Sequence, residues 1–251
     1  MNCREAHGSL NILHVLRAPV GGLFRHVADP ARGQSARGHR VGLIADSTTG
    51  GSDAEATLSA LSTGLVLGVT RIPMSRHLSS ADIAAVAHVT RRAAAAAADV
   101  IHGHGAKGGA YARLAGNKNA IRVYTPHGGS LHYGWTSPLG FFYLAAERVL
   151  MQRTDLFLFL FESAYGRDAF KAKVGRPSAL VRIVHNGVSK PDFEPIATAS
   201  EASDLVFIGE LRMLKGVDVL IEAIALLAQN GCAVTASIVG SGPDRAAFES
   251  R

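Results

Sequence analysis

The chain has 251 residues, carries a formal charge of +6 and is 47% hydrophobic, with 27 glycines and two cysteines. That length holds one large domain, or one domain and part of another, and the glycine content suits an α/β protein with many tight turns. Cys3 and Cys232 exclude a disulfide framework and lack metal-ligand spacing, which fits a reducing cytoplasm. The basic residues are scattered without a recognition motif, so nucleic acid ranks below anionic substrates or an acidic membrane face as a partner.

Residues 1–9 read as a tail, too short and too polar for a signal peptide. Apolar, β-branched runs then predict strands over 11–16, 40–45, 65–72, 100–103, 121–125, 155–161 and 181–184. Helical patterns lie between them at 22–37, 80–98, 107–115, 139–152 and 163–174, and no helix is assigned between Ala45 and Leu65. Pro30 falls inside the first helix, where a missing backbone donor predicts a kink. The most apolar region, 141–161, is broken by Glu147, Arg148, Arg153 and Asp155, which argues against a membrane span. Strands alternating with helices predict parallel βαβ units, a doubly wound sheet, and loops gathered at the strand C-termini. These elements form an expected domain over 10–188.

Residues 189–203, with Pro191, Pro195 and little periodicity, read as a linker. Beyond it come a strand at 204–208, a helix at 217–229, a strand at 233–239, the turn Gly240-Ser241-Gly242-Pro243 and the start of another helix. Two parallel strands with so few helices cannot cover both faces of a parallel sheet, so the domain 204–251 is expected to be cut short.

The loops carry the chemistry. Gly21-Gly22 lies between the first strand and helix, where paired glycines let a ligand approach backbone. It is not the GxGxxG fingerprint, which removes the main support for a nicotinamide or flavin cofactor. His102-Gly103-His104-Gly105-Ala106-Lys107-Gly108 ends another strand. Two histidines two apart share a strand face, but no third metal ligand is apparent nearby, and Lys107 with the Gly108 amide is a candidate acceptor or phosphate contact. His127-Gly128 follows the next strand, where an imidazole can bond a sugar hydroxyl or move a proton. Glu162 precedes Ser163, a helix cap, and reads as capping or surface pairing more than as a ligand contact. Asn186-Gly187 is first a turn signal, at the end of the first domain. Arg212 and Lys215, three apart between a strand and a helix opening at Gly216, suit a diphosphate, because unpaired amides and the helix dipole already favour anions there. No Ser/His/Asp elbow, HExxH or Walker sequence is present.

Taken in order, Gly21-Gly22, His127-Gly128, Asn186-Gly187-Val188, Arg212-x-x-Lys215-Gly216 and Gly240-x-Gly242-Pro243 resemble the family-4 retaining glycosyltransferases, over nearly the whole chain. The stretch from Leu16 to Val27 is similar to bacterial members that build cell-surface polysaccharide. The resemblance implies a GT-B fold, two Rossmann-like domains facing across a cleft, the first on the acceptor side and the second binding the nucleotide sugar. It implies that Arg212 and Lys215 neutralise the leaving diphosphate, with Gly216, Gly21, Gly22, Asn186 and Gly242 in the donor site. His127 matches the histidine beside the donor sugar, taken as the catalytic position. No metal or other cofactor is implied, since the two cations replace a divalent ion. The acceptor would be a saccharide or lipid-linked molecule, and the location cytoplasmic with peripheral contact to the membrane.

One departure stands against the matches. The family's pair of glutamates beyond the Gly-x-Gly-Pro region has no counterpart, Glu249 being the last acidic residue. A truncated chain of low or no activity is therefore expected. Two other functions fit the same architecture: a sugar-nucleotide epimerase or phosphorylase, and a non-catalytic binding module formed by the first domain.

Overall fold

The computed structural model describes residues 8–117, 119–152 and 157–251. The chain forms two compact units, Met1–Ser189 and Lys190–Arg251.

In the first unit the elements follow in the order β1 (Asn11–Leu16), α1 (Gly21–Ala36), β2 (Arg40–Asp46), α2 (Gly51–Ser62), β3 (Gly68–Ile72), α3 (Ala81–Ala95), β4 (Val100–His104), α4 (Gly105–Leu114), β5 (Ile121–Thr125), α5 (Pro138–Met151), β6 (Phe157–Phe161), α6 (Ala164–Lys173) and β7 (Leu180–Ile183). The seven strands form one parallel sheet in the order β3-β2-β1-β4-β5-β6-β7. The order reverses between β1 and β4, and crossovers leave that edge open at the strand C-termini. Leu16 and His104 end those two strands, paired in register with each other.

Helices cover both faces, as a parallel sheet requires. On one face Phe24, Val27, Ala28 and Ala31 of α1 and Leu58 and Leu61 of α2 pack on Ile12, Leu16, Val41 and Leu43. On the other, Ala85, Val89 and Ala93 of α3 and Tyr111 and Ala112 of α4 pack on Leu13, Val15, Ile44 and Ile101. Beneath β5 and β6, Leu144, Phe159, Phe161, Phe170 and Val174 form a third cluster.

The expected strands 11–16 and 121–125 match β1 and β5 residue for residue. Helix α2 is an addition, built on Ala54, Leu58 and Leu61, all buried at helical spacing. The expected strand 65–72 begins only at Gly68, because the preceding residues turn, with Gly68 N–H bonding Leu65 C=O at 2.8 Å. Helix α1 continues past Pro30, whose neighbours Ala28 and Ala31 are buried against the sheet. The first residues of the expected strand 155–161 lie outside the described residues.

The second unit carries β8 (Leu205–Ile208), α7 (Val217–Gln229), β9 (Ala236–Val239) and the short α8 (Arg245–Glu249). β8 and β9 pair in parallel as a two-stranded sheet. Leu211, Val217 and Phe248 are its buried apolar residues, packed with Phe207 and Ile221. Much of the rest of its apolar surface is open, including Val206, Ile208, Leu226 and Val239.

Candidate functional site

The reversal point of the large sheet is lined by imidazoles. On β1, alternation puts Ile12, His14 and Leu16 on the α1 side; on β4 it puts His102 and His104 on the same side. The register pairs His14 with His102 and Leu16 with His104, so residues almost ninety positions apart become neighbours. His14 and His104 are buried and His102 is half-buried. His127 arrives from the end of β5, and His26 from α1, with its ring centroid 4.9 Å from that of His127.

These rings are bonded in a row. Nδ1 of His14 lies 2.9 Å from Nε2 of His104, and Nδ1 of His104 lies 3.1 Å from Nε2 of His127. Nε2 of His14 meets Oε1 of Gln34, on α1, at 2.8 Å, while His102 Nε2 pairs with the Thr125 hydroxyl at 2.9 Å. Burial is the first reason all five are poor bases. It lowers His14 to about 4 and His127 to about 4, and holds His102 and His104 well below the usual histidine value; His26 is also lowered.

The sequence flagged neither His14 nor His26, and His14 is the one that joins the pair on β4. With it, His14, His102 and His104 bring ligand atoms within 4.8 Å of one another, the third ligand that no local spacing revealed. Two nitrogens on one zinc stand about 3.4 Å apart, whereas His14 and His104 meet at hydrogen-bond distance. No carboxylate or thiolate belongs to the group. The arrangement is that of a hydrogen-bonded row.

The pH dependence of stability follows directly. His14 titrates near 6.5 when unfolded and at about 4 when folded, so between those values the unfolded chain binds more protons. Stability is complete above about pH 6.5 and is lost as pH falls towards 4, by on the order of 3 kcal/mol for His14 alone. Urea midpoints measured from pH 7.5 to 4.5 should be flat at first and then fall through that window. A midpoint unchanged down to pH 4.5 would contradict the neutral row.

His127 sits on unusual backbone. Its φ is +50°, and Gly128 and Gly129 follow at +75° and +23°. A positive φ is costly for a residue with a side chain, on the order of 1 kcal/mol, and such strain concentrates where side-chain placement matters. A Cβ at Gly128 would meet only the ring of exposed His132, which can swing away, so it is the positive φ that favours glycine there. The loop is anchored by Ser130, whose hydroxyl donates to Glu147 at 3.0 Å. Glu147 is buried and also accepts from Arg113 at 2.8 Å and from Tyr124 at 2.7 Å.

Gly21 and Gly22 open α1 on the same edge, where Leu23 Cδ1 lies 3.6 Å from where a Cβ on Gly105 would be. Gly21 has φ +64°, yet a Cβ on either Gly21 or Gly22 would meet no atom within 4 Å. Gly22 thus has neither a packing nor a conformational reason to be glycine, which leaves exposed amides at a helix N-terminus. Asn186 and Gly187 are likewise exposed in open space beyond β7. Glu162 follows β6, with Oε2 buried and without a hydrogen-bond partner among the described residues. Its charge acts on His26, and the cap of α6 is Ser163, which accepts from Gly166 N–H.

Lys107 and Gly108 have other partners. The Lys107 ammonium pairs with Asp82 and bonds His77 C=O at 3.0 Å. A Cβ on Gly108 would lie 2.3 Å from Val15 O, so glycine there lets α4 lie against β1.

In the second unit, β8 leads through Gly209 to Arg212, a single 3-10 turn over Met213–Lys215, and α7. Gly216 has φ +73° and hands the turn to the helix. The Arg212 guanidinium lies 3.5 Å from Glu210 in a partly exposed pair, and Lys215 is exposed. The Gly-x-Gly turn after β9 packs on this loop: a Cβ at Gly240 would lie 1.9 Å from Gly209 O, and one at Gly242 2.2 Å from Leu211 O. Asp244, which the sequence did not single out, accepts from Met213 N–H at 2.8 Å and holds the turn in place.

The same fold recurs in solved glycosyltransferases. A glycosyltransferase from Rickettsia africae ESF-5 has a TM-score of 0.68 at 17% identity, covering 98% of this chain and 64% of that one. The Anabaena protein HepE, in complex with UDP and glucose, has a TM-score of 0.68 at 20% identity, covering 96% and 64%. Sucrose-phosphate synthase from Thermosynechococcus elongatus has a TM-score of 0.65 at 13% identity, covering 92% and 70%. The chain therefore spans 64% of the length of the first two. At these identities the likeness establishes the fold, α/β of the GT-B type. No curated protein matches the sequence. The model of Glycosyltransferase Family 4 matches residues 20–190, and the chain belongs to that family.

Proposed function

We propose that the protein transfers a sugar from a nucleotide-diphosphate donor to a saccharide or lipid-linked acceptor of the cell surface, with retention of configuration. The observation that carries this is the open edge of the first unit. Family membership places the chain among glycosyltransferases; at the sheet's reversal point Gly21 and Gly22 open α1, exposed, and the same helix brings His26 to 4.9 Å, ring to ring, from the strained, row-bonded His127. Amides at a helix N-terminus take phosphate oxygens, and a neutral imidazole takes a hydroxyl. HepE, with the same fold, is complexed with UDP and glucose.

In this reading His127 positions the donor sugar. Gly21, Gly22 and Asn186 are the first unit's donor-binding residues, and Arg212, Lys215, Gly216 and Gly242 are the second unit's. Gly242 acts through the loop it packs on. Arg212 and Lys215 stabilise the departing diphosphate, so no metal or other cofactor is called for. Lys107 and Gly108 shape the acceptor side through Asp82 and β1. The domains are 10–188 and 204–251 with a linker between, in a cytoplasmic protein that touches the membrane peripherally. No helix among the described residues is long and apolar enough to cross a membrane.

A thermal-shift panel of nucleotide sugars tests the donor site on the chain as it stands. A rise in melting temperature with at least one nucleotide sugar, reduced by His127→Ala, is expected. The absence of a shift with every one of them would favour a non-catalytic module.

A further inference from the structure

The row Gln34–His14–His104–His127 has a direction. His14 and His104 each use both ring nitrogens, and a neutral imidazole donates from one and accepts at the other. Fixing one proton therefore fixes them all. The amide oxygen of Gln34 faces His14 Nε2, and a carbonyl oxygen only accepts. The His14 proton must then be on Nε2, which leaves its Nδ1 to accept from His104 Nε2–H. His104 Nδ1 in turn accepts from His127 Nε2–H. His127 ends the row with its lone pair on Nδ1. Were the Gln34 amide reversed, its NH2 group would donate, every proton in the row would move to the other nitrogen, and His127 Nδ1 would become a donor.

We propose that Gln34, acting through His14 and His104, is a positioning residue that holds His127 as its Nε2–H tautomer, so that this ring accepts a hydrogen bond from its ligand. The consequence is selectivity for a hydroxyl, which can donate, over a diphosphate oxygen, which cannot. The ligand atom at His127 is thus a sugar hydroxyl and the diphosphate lies elsewhere. This deepens the donor-site reading and rests on it only for the identity of the ligand. The row itself stands on four residues from α1, β1, β4 and the loop after β5. Gln34 is half-buried on α1, and a helix-forming residue of similar length replaces it without disturbing the fold.

Long-range 1H–15N correlations of the histidine rings, on the full chain at neutral pH, test the proposal. In the wild type His127 should carry its proton on Nε2 and show an unprotonated Nδ1. In Gln34→Met, which neither donates nor accepts in that way, His14, His104 and His127 should become mixtures of both tautomers. A wild-type His127 protonated on Nδ1 would overturn the proposal whether or not the variant folds, and so would unchanged tautomers in a folded variant. The same variant should bind UDP-glucose about three- to tenfold more weakly and UDP with unchanged affinity. Equal weakening of both would refute the selectivity. If wild type binds no UDP-glucose, the donor reading fails for that sugar while the tautomer result still decides the row.

Discussion

Arg212→Ala is expected to lower glycosyl transfer by about 100- to 1,000-fold, the range seen when one preorganised electrostatic stabiliser of a developing negative charge is removed. The expectation rests on the local geometry of the second unit. Arg212 leaves β8 just before the turn Met213–Lys215, and Gly216 opens α7, so two cations and a helix N-terminus share one loop. The guanidinium's pairing with Glu210 at 3.5 Å is partly exposed, and such pairs are worth little. It remains available to an anion. Asp244 takes the Met213 N–H and fixes the turn, and the backbone of Gly240–Gly242 leaves no room for side chains beneath it. Arg212→Lys should retain part of the activity, because charge persists while the two-pronged geometry is lost. The comparison is of kcat/KM for the same donor and acceptor. Undiminished transfer by Arg212→Ala would remove the role assigned to it.

The largest effect on stability is expected at Glu147. Glu147→Ala should destabilise the first unit by about 3–5 kcal/mol, the cost of breaking a buried ion pair by deleting one partner. Arg113 and Glu147 are both buried, 2.8 Å apart. The Arg113 guanidinium lies 4.0 Å over the Tyr124 ring and also bonds Gly109 C=O at 3.0 Å. Deleting the carboxylate leaves a buried positive charge, a buried phenol and the Ser130 hydroxyl without their acceptor. Replacing both partners at once, as Glu147→Leu with Arg113→Met, should recover much of the loss, because a matched apolar pair avoids the desolvation penalty. Urea unfolding of the three proteins separates these outcomes; a loss below about 1 kcal/mol for Glu147→Ala would show the pair to be dispensable. Since Ser130 lies in the loop that carries His127, the same variant should weaken donor binding before it unfolds.

Helix α7 was legible from end to end because its apolar stripe runs unbroken between Gly216 and the polar Asn230, and β1 and β5 because short β-branched runs end at clear turns. Helix α2 was not, since Gly50-Gly51-Ser52 reads as a turn and only three apolar positions mark its buried face. The functional loops were visible as motifs because glycines and cations at strand ends are local features. What sequence could not supply was register. Nothing near His14 marks it as more than one polar residue in an apolar strand; the other members of its row lie on α1, on β4 and beyond β5, and only the sheet order brings them together. Glu147 was misleading for a similar reason. In sequence it only interrupts an apolar run and argues against a membrane span, yet it sits on the same helical face as Leu144 and meets Arg113 from another helix. The open Gly22 and the packed Gly108 look alike in sequence, and only the neighbours of the missing Cβ tell them apart.

The most direct measurement is a product assay with a labelled nucleotide sugar and a lipid-linked or saccharide acceptor. Release of the nucleoside diphosphate is expected, with the label appearing in a glycoside whose anomeric configuration matches the donor's. A donor recovered as its epimer with the diphosphate bond intact, or a glycoside of inverted configuration, would contradict that expectation.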